Sequence, residues 1–186
     1  MIEWKENERR LLTERLLLRP FVEADADEVT RICNNVKVAR GTTLPHPYTT
    51  ECALSWIGKQ EAQAEAGTHY VWAVTDRVSG GLYGCVSLTC SCENQNAELG
   101  YWMAEEVWGR GYATEAARAA LYFAFAVKAF HRVYARHYGS NPASGRVMQK
   151  CGMTCEGRLR EHRRKADGYE DLVEYGILKA EFAEAR

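Results

Sequence analysis

No apolar run in this sequence is long enough to cross a bilayer, and the opening residues Met1-Ile2-Glu3-Trp4-Lys5-Glu6 carry no apolar signal core. A cytoplasmic protein with no membrane partner is expected. Neither sign of charge is in excess: 24 Lys and Arg stand against 25 Asp and Glu, for a net charge of −1. A general nucleic-acid-binding surface needs a basic excess, so no nucleic-acid partner is expected. Cys-x-x-Cys pairs are absent. The seven cysteines are odd in number, and neither Cys90-Ser91-Cys92 nor the Cys151/Cys155 pair has the spacing of a zinc module. They read as reduced thiols packed as small hydrophobes, and no metal is expected. No repeat, low-complexity tract or linker interrupts the chain. One domain over residues 1–186 is expected, with its core at about 11–180 and residues 1–10 as an N-terminal arm. The residues fit a monomer or a homodimer equally.

What is present is an ordinary globular balance, 46% hydrophobic and 26% charged, which excludes a disordered chain. Residues 1–12 are charged and mixed, and read as an arm or an added helix. Residues 13–21 read as a first strand closed by Pro20. Residues 25–33 have an acidic first turn and an apolar face, the pattern of a short helix. Pro45 and Pro47 exclude a regular element over 41–48. Thr49 or Thr50 then caps a helix running to about Ala66, stopped by Gly67. Strands are expected at 69–76 and 82–89, joined by the turn Ser79-Gly80-Gly81, and at 97–103 after a polar turn. Residues 114–128 form a largely apolar helix, and 132–137 a short strand. Asn141-Pro142 opens another helix, with Asn at the N-cap and Pro at the first helical position, and Gly152 ends it. Two last strands are expected at 153–159 and 169–178. The class is α+β with one central mixed sheet.

The stretch Trp108-Gly109-Arg110-Gly111-Tyr112-Ala113-Thr114-Glu115 joins the 97–103 strand directly to a helix. That order leaves unpaired backbone N–H groups at a helix N-terminus, where the helix dipole favours negative charge. Small residues let a phosphate reach those groups, so the stretch reads as a diphosphate cradle.

Several ordered motifs carry a family resemblance. The runs Ala97-Glu98-Leu99-Gly100-Tyr101-Trp102, Trp108 to Ala116 and Asn141 to Met153, with Glu156-Gly157, resemble the GNAT acetyltransferases. The segments Leu12 to Pro20 and Leu44-Pro45-His46-Pro47-Tyr48 are similar to the branch containing the ribosomal-protein-alanine N-acetyltransferases. The resemblance runs from about Leu11 to Leu178. It implies a GNAT-like fold: a central mixed, mostly antiparallel sheet of about seven strands flanked by helices, with a V-shaped splay between the fourth and fifth strands. The family's phosphate motif usually begins with Gln or Arg where this chain has Trp108.

The resemblance further implies that acetyl-CoA donates an acetyl group to an amine by direct attack. Main-chain N–H groups of Gly109, Arg110, Gly111, Tyr112, Ala113 and Thr114 would hold its pyrophosphate, with the Thr114 hydroxyl as a further donor. The backbone of Tyr101, Trp102 and Met103 would pair with the pantetheine arm and donate an N–H to the thioester oxygen. Asn141 and Ser144 would meet CoA at the start of their helix. Lys150, Arg146 or the basic cluster 158–165 would take its 3′-phosphate. That cluster otherwise reads as a solvated connection, or as a contact for an acidic protein acceptor. The attacking amine must be neutral. An α-amine titrates near ~7.7–8.0 and a lysine near ~10.4, so a protein N-terminus needs only a modest base. Glu98 is the candidate base, directly or through water, and also a contact to the amine. Ser144 resembles the acid that stabilises the leaving thiolate, with Tyr138 as backup; His137 is a weaker candidate base. His46 and Tyr48 would line the acceptor site. The expected acceptor is a protein N-terminal α-amine. The rivals are a small-molecule amine (polyamine, amino acid or aminoglycoside) and a non-catalytic acyl-CoA-binding module. An acidic cleft would favour a polyamine or aminoglycoside; an open cleft with the basic cluster at its rim would favour an acidic protein N-terminus.

Overall fold

The computed structural model describes residues 2–6, 9–165 and 168–184. Among them, nine strands form one sheet. They are β1 (Glu3–Lys5), β2 (Arg10–Leu12), β3 (Leu16–Arg19), β4 (His69–Asp76), β5 (Leu82–Ser91), β6 (Asn96–Met103), β7 (Arg132–Tyr138), β8 (Thr154–Lys165) and β9 (Gly168–Leu178). Their order across the sheet is β1-β2-β3-β4-β5-β6-β7-β9-β8. Every neighbouring pair is antiparallel except β6 and β7.

The sheet exceeds the expected seven strands because the N-terminal residues join it. The reading of residues 1–12 as an arm or helix is corrected: β1 and β2 form a hairpin, and Leu11 is fully buried. Trp4 packs edge-on against Phe123, with ring centroids 4.8 Å apart. The expected first strand also breaks. The Thr13 N–H bonds the Leu16 carbonyl at 3.0 Å, making a tight turn between β2 and β3.

Side-chain alternation splits the core into two layers. Trp72 and Val74 of β4, with Val86 and Leu88 of β5, face a large cluster under α5 (Tyr112–Tyr122). Ala116, Ala117, Ala119 and Ala120 are all buried there, and their small side chains let the helix lie close to the sheet. A π-helical turn, Phe123–Val127, continues it. The alternate residues Val71, Ala73 and Cys85 face a smaller cluster on the opposite side, under α1 (Ala26–Cys33) and α3 (Thr50–Ile57). A short helix α2 (Val36–Arg40) follows α1. The helix expected up to Ala66 is broken at Gly58-Lys59, and α4 (Gln60–Glu65) carries the remainder.

Helix α6 (Pro142–Lys150) starts as its sequence dictates. Asn141 accepts the Ser144 N–H at 3.3 Å, and Pro142 occupies the first helical position. Gly145 seats the helix against β7: a Cβ there would come 2.7 Å from His137 Nε2. The last described helix, α7, is Lys179–Glu184. No described helix is long and apolar enough to cross a membrane.

The expected splay is present. β6 and β7 pair only through Asn96, Ala97 and Glu98 against Arg132, Val133 and Tyr134. Beyond Glu98 the strands part, while β5 continues to pair with the other edge of β6 as far as Met103.

Candidate active site

A cavity of about 730 Å³ fills the gap between β6 and β7. Its walls are drawn from many elements. The glycine loop and the first turn of α5 contribute Gly109, Gly111, Tyr112, Ala113 and Thr114. Helix α6 contributes Ser144, Arg146, Val147 and Lys150. The lining also includes Glu98, Gly100 and Trp102 of β6, with Ser87, Trp56 and Leu44.

The loop turns by glycine. Gly109 and Gly111 have φ of +74° and +83°, a conformation that L side chains rarely adopt. The first α5 bond runs from the Glu115 N–H to the Gly111 carbonyl at 3.0 Å. The N–H groups of Tyr112, Ala113 and Thr114 therefore have no acceptor within the helix. Arg110 is not in the cavity wall; its carbonyl is held by Arg15 Nη1 at 3.0 Å. Arg15 in turn bonds Glu115 at 2.7 Å through Nε, and its guanidinium lies 4.4 Å over the Tyr112 ring. Burial alone would raise the Glu115 pKa, but the hydrogen bonds from Thr13 and Arg15 outweigh it and hold the carboxyl below its ordinary value. Trp108 spans the loop's other side, its indole N–H donating to the Met103 carbonyl at 2.9 Å.

Tyr101 lies on β6 beyond the point where that strand parts from β7. Its phenol crosses to the start of α6, 3.0 Å from the Ser144 carbonyl and 2.8 Å from Ser144 Oγ. Burial pushes that phenol well above its ordinary pKa, so it stays protonated. The Ser144 N–H is consumed by the Asn141 cap, leaving the hydroxyl as this residue's group for the cavity. Lys150 lines the same wall, and its carbonyl accepts from Arg118 at 2.6 Å.

Glu98 stands where the strands part. Tyr134 lies opposite, and its phenol is pushed up by burial and by the Glu98 charge. Tyr138 is buried and lines the cavity, with Lys165 Nζ 3.6 Å over its ring. His137 is also buried, its Nδ1 2.8 Å from the Tyr138 carbonyl, which requires the proton on that nitrogen. His46 and Tyr48 are not in the cavity wall. His46 is exposed, and Tyr48 is buried in the smaller core cluster. The Asn34 side chain fixes both backbone groups of Tyr48, accepting its N–H at 2.9 Å and donating to its carbonyl.

The wall's charge is one-sided. Among the described residues lining the cavity Glu98 is the one carboxylate, against Lys37, Arg136, Arg146, Lys150 and Arg163. Lys37 is neutralised by Glu105 and Arg136 by Glu174, both outside the wall. Arg163 and His162 belong to the basic cluster. That cluster is part of β8, where sequence analysis expected a connection after residue 159.

Three features were not anticipated from sequence: the Tyr101–Ser144 contact, the Arg15 clasp on Arg110, and the Trp108 bond to Met103. The first two join residues 43 and 95 positions apart, beyond any local pattern.

The description "Acetyltransferase (GNAT) domain" matches residues 15–154. The uncharacterized N-acetyltransferase YoaA of Bacillus subtilis (strain 168) is 28% identical over 170 residues, covering 91% of this chain and 96% of that protein. The spermidine N(1)-acetyltransferase of Vibrio cholerae is 23% identical, covering 92% of this chain and 97% of its own. Among solved structures, a GNAT-family acetyltransferase from Bacillus anthracis superposes with a TM-score of 0.83 at 25% identity, covering 92% of this chain and 99% of that one.

Proposed function

The chain belongs to the GNAT acetyltransferase family, and within that N-acetyltransferase activity we propose that it transfers acetyl from acetyl-CoA to the α-amine of a protein N-terminus. Acetyl-CoA supplies an activated thioester. The loop N–H groups of residues 109–114 fit its diphosphate, because they lie at a positive helix end and the Arg110 carbonyl in the same loop is engaged by Arg15. The edge of β6 at residues 101–103 faces the cleft rather than β7, and fits an extended arm pairing as a strand does. Lys150 is the candidate for the 3′-phosphate.

Glu98 takes the amine proton, directly or through a water, as the nitrogen attacks the thioester carbon. The C–N bond forms, the C–S bond breaks, and the departing sulfur receives a hydrogen bond or proton from the Ser144 hydroxyl. Tyr101 orients that hydroxyl from 2.8 Å away. Tyr138, beside Ser144 in the wall, is the alternative donor.

The observation that carries the acceptor class is the wall's charge. A polyamine or aminoglycoside carries several cations and calls for several carboxylates, whereas among the described wall residues Glu98 has no second carboxylate with it. The relative named for spermidine is too distant to transfer its substrate. The test is a panel of N-terminal peptides, polyamines and aminoglycosides, with thiol release and product mass both followed. Peptide α-amines are expected to turn over fastest. Faster turnover of spermidine than of every peptide would overturn the acceptor class.

A further inference from the structure

We propose that the bulged arm of β8 is an anion-reading element. In it Arg163, with His162 beside it, receives the carboxylate of an acidic side chain following the acceptor's N-terminal amine. The inference rests on the acetyl-transfer reading above and narrows its substrate.

The arm does not run as a plain edge strand. Leu159 pairs with Leu172, but the next pair is Arg163 with Glu170. Residues 160–162 of β8 thus stand against Asp171 alone. Such a bulge bends a strand and re-aims its side chains. Asp171 organises this one. Its carboxylate accepts the Glu161 N–H at 2.8 Å and Arg158 Nε at 2.6 Å, and its carbonyl accepts the Gly139 N–H at 2.9 Å. Glu161 has φ of +51°, a strained value for a residue with a side chain, sustained by those bonds. Beyond the bulge, Lys165 donates to the Arg40 carbonyl at 2.5 Å and caps the Tyr138 ring. The arm is thereby tied down at both ends, and His162 and Arg163 line the same cavity as Glu98.

The charges on the arm are unequally committed. Arg158 is engaged by Asp171 and Lys165 by the Arg40 carbonyl. Arg163 makes no ion pair among the described residues. The carboxylate directly across from it, Glu170, accepts the Ser140 hydroxyl at 2.7 Å instead. A purely solvated strand would not need a strained bulge to bring an uncommitted guanidinium into a cavity. A guanidinium there offers a bidentate site for a carboxylate. Glu98 and Arg163 together fit an acceptor that is cationic at its terminus and anionic just behind it.

The test compares peptides differing only at the second residue, Glu, Gln or Lys, by kcat/KM. Wild type is expected to favour Glu over Gln by about tenfold, the value of one charge-assisted contact at a partly open site. Arg163→Gln should bring that ratio near one, and Arg163→Lys should recover part of it. Asp171→Asn, a positioning change, should raise KM for the Glu peptide and leave kcat in place; its unfolding temperature is measured alongside. Removing a charge outside the cavity wall, Lys179→Gln on α7, should keep the preference. Equal turnover of Glu and Gln peptides by wild type overturns the anion-reading proposal and leaves acetyl transfer standing. A wild type that binds acetyl-CoA but acetylates no amine overturns both.

Discussion

Arg15 holds the main-chain carbonyl of Arg110 from Nη1 at 3.0 Å, while Glu115 holds Arg15. A carbonyl beside a bound phosphate is a repulsive dipole unless something engages it, and in the proposed donor loop Arg15 does so from the turn between β2 and β3. Arg15→Ala releases that carbonyl and leaves the Glu115 carboxylate uncompensated beside the loop. Acetyl-CoA affinity measured by calorimetry should fall about tenfold or more. Adding Glu115→Gln to that variant should restore part of the loss. Unchanged affinity would remove Arg15 from the loop's function.

The Tyr101 phenol and the Ser144 hydroxyl lie 2.8 Å apart. Ser144→Ala should lower kcat by about 10²-fold, the low end for loss of a positioned proton donor, with little change in the KM for acetyl-CoA. Tyr101→Phe keeps the hydroxyl and loses its orientation, so a smaller fall is expected. Glu98→Gln should cost about 10²-fold in kcat. Full turnover by both Ser144→Ala and Glu98→Gln would refute these roles.

Arg19 grips Asp25 with two bonds, at 2.7 and 2.8 Å, and the Val22 N–H adds a third at 2.9 Å. Burial alone would raise the Asp25 pKa; the bonds from Arg19 and Val22 outweigh it, and the folded value lies below the ordinary one. A depressed carboxylate stabilises the fold above its unfolded pKa of about 3.9 and loses that contribution as pH falls through the folded value. Asp25→Asn should cost about 2 kcal/mol at pH 7. The stability curves of variant and wild type should converge below about pH 4 in denaturant titrations. A constant gap down to pH 2 would contradict the linkage.

Gly84 lies so near β6 that a Cβ would sit 2.2 Å from the Trp102 carbonyl. Gly84→Ala must push β6 toward the cleft. About 2 kcal/mol of overpacking, or roughly 4–8 °C in unfolding temperature for a chain of this size, is expected. Because Trp102 lines the cavity, the KM for acetyl-CoA should rise with it. A melting curve unmoved by the substitution would show that the strands have slack.

Local chemistry made some of this legible beforehand. The Asn141-Pro142 helix start, the Gly152 stop and the strand–glycine–helix order around Gly109 and Gly111 all depend on neighbouring residues, and all are found. The N-terminal hairpin was not readable, because Trp4 and Leu11 acquire their burial only from Phe123 and from distant strands. Helix α2 is five residues long, too short for an apolar period to declare itself. The β8 bulge depends on Asp171, which sits in another strand. The same limit applies within the cavity. Glu98 and Ser144 could be singled out by type and position, but Tyr48, expected to line the acceptor site from an irregular segment with two prolines, is buried in the smaller core cluster with its backbone bonded by Asn34.

The three residue pairs that join β6 to β7 have a mechanical meaning as well. They are the sole ladder between a six-strand half and a three-strand half, so the sheet is hinged at Asn96–Glu98. A hinge this short lets the β7-β9-β8 half open as its own unit before the whole molecule unfolds. Amide exchange should find that half less protected than β4 and β5. A donor bound as proposed, between the α5 loop and α6, should act as a wedge across the hinge and slow exchange on both of its sides at once. Glu98 sits at the pivot, where opening displaces it least.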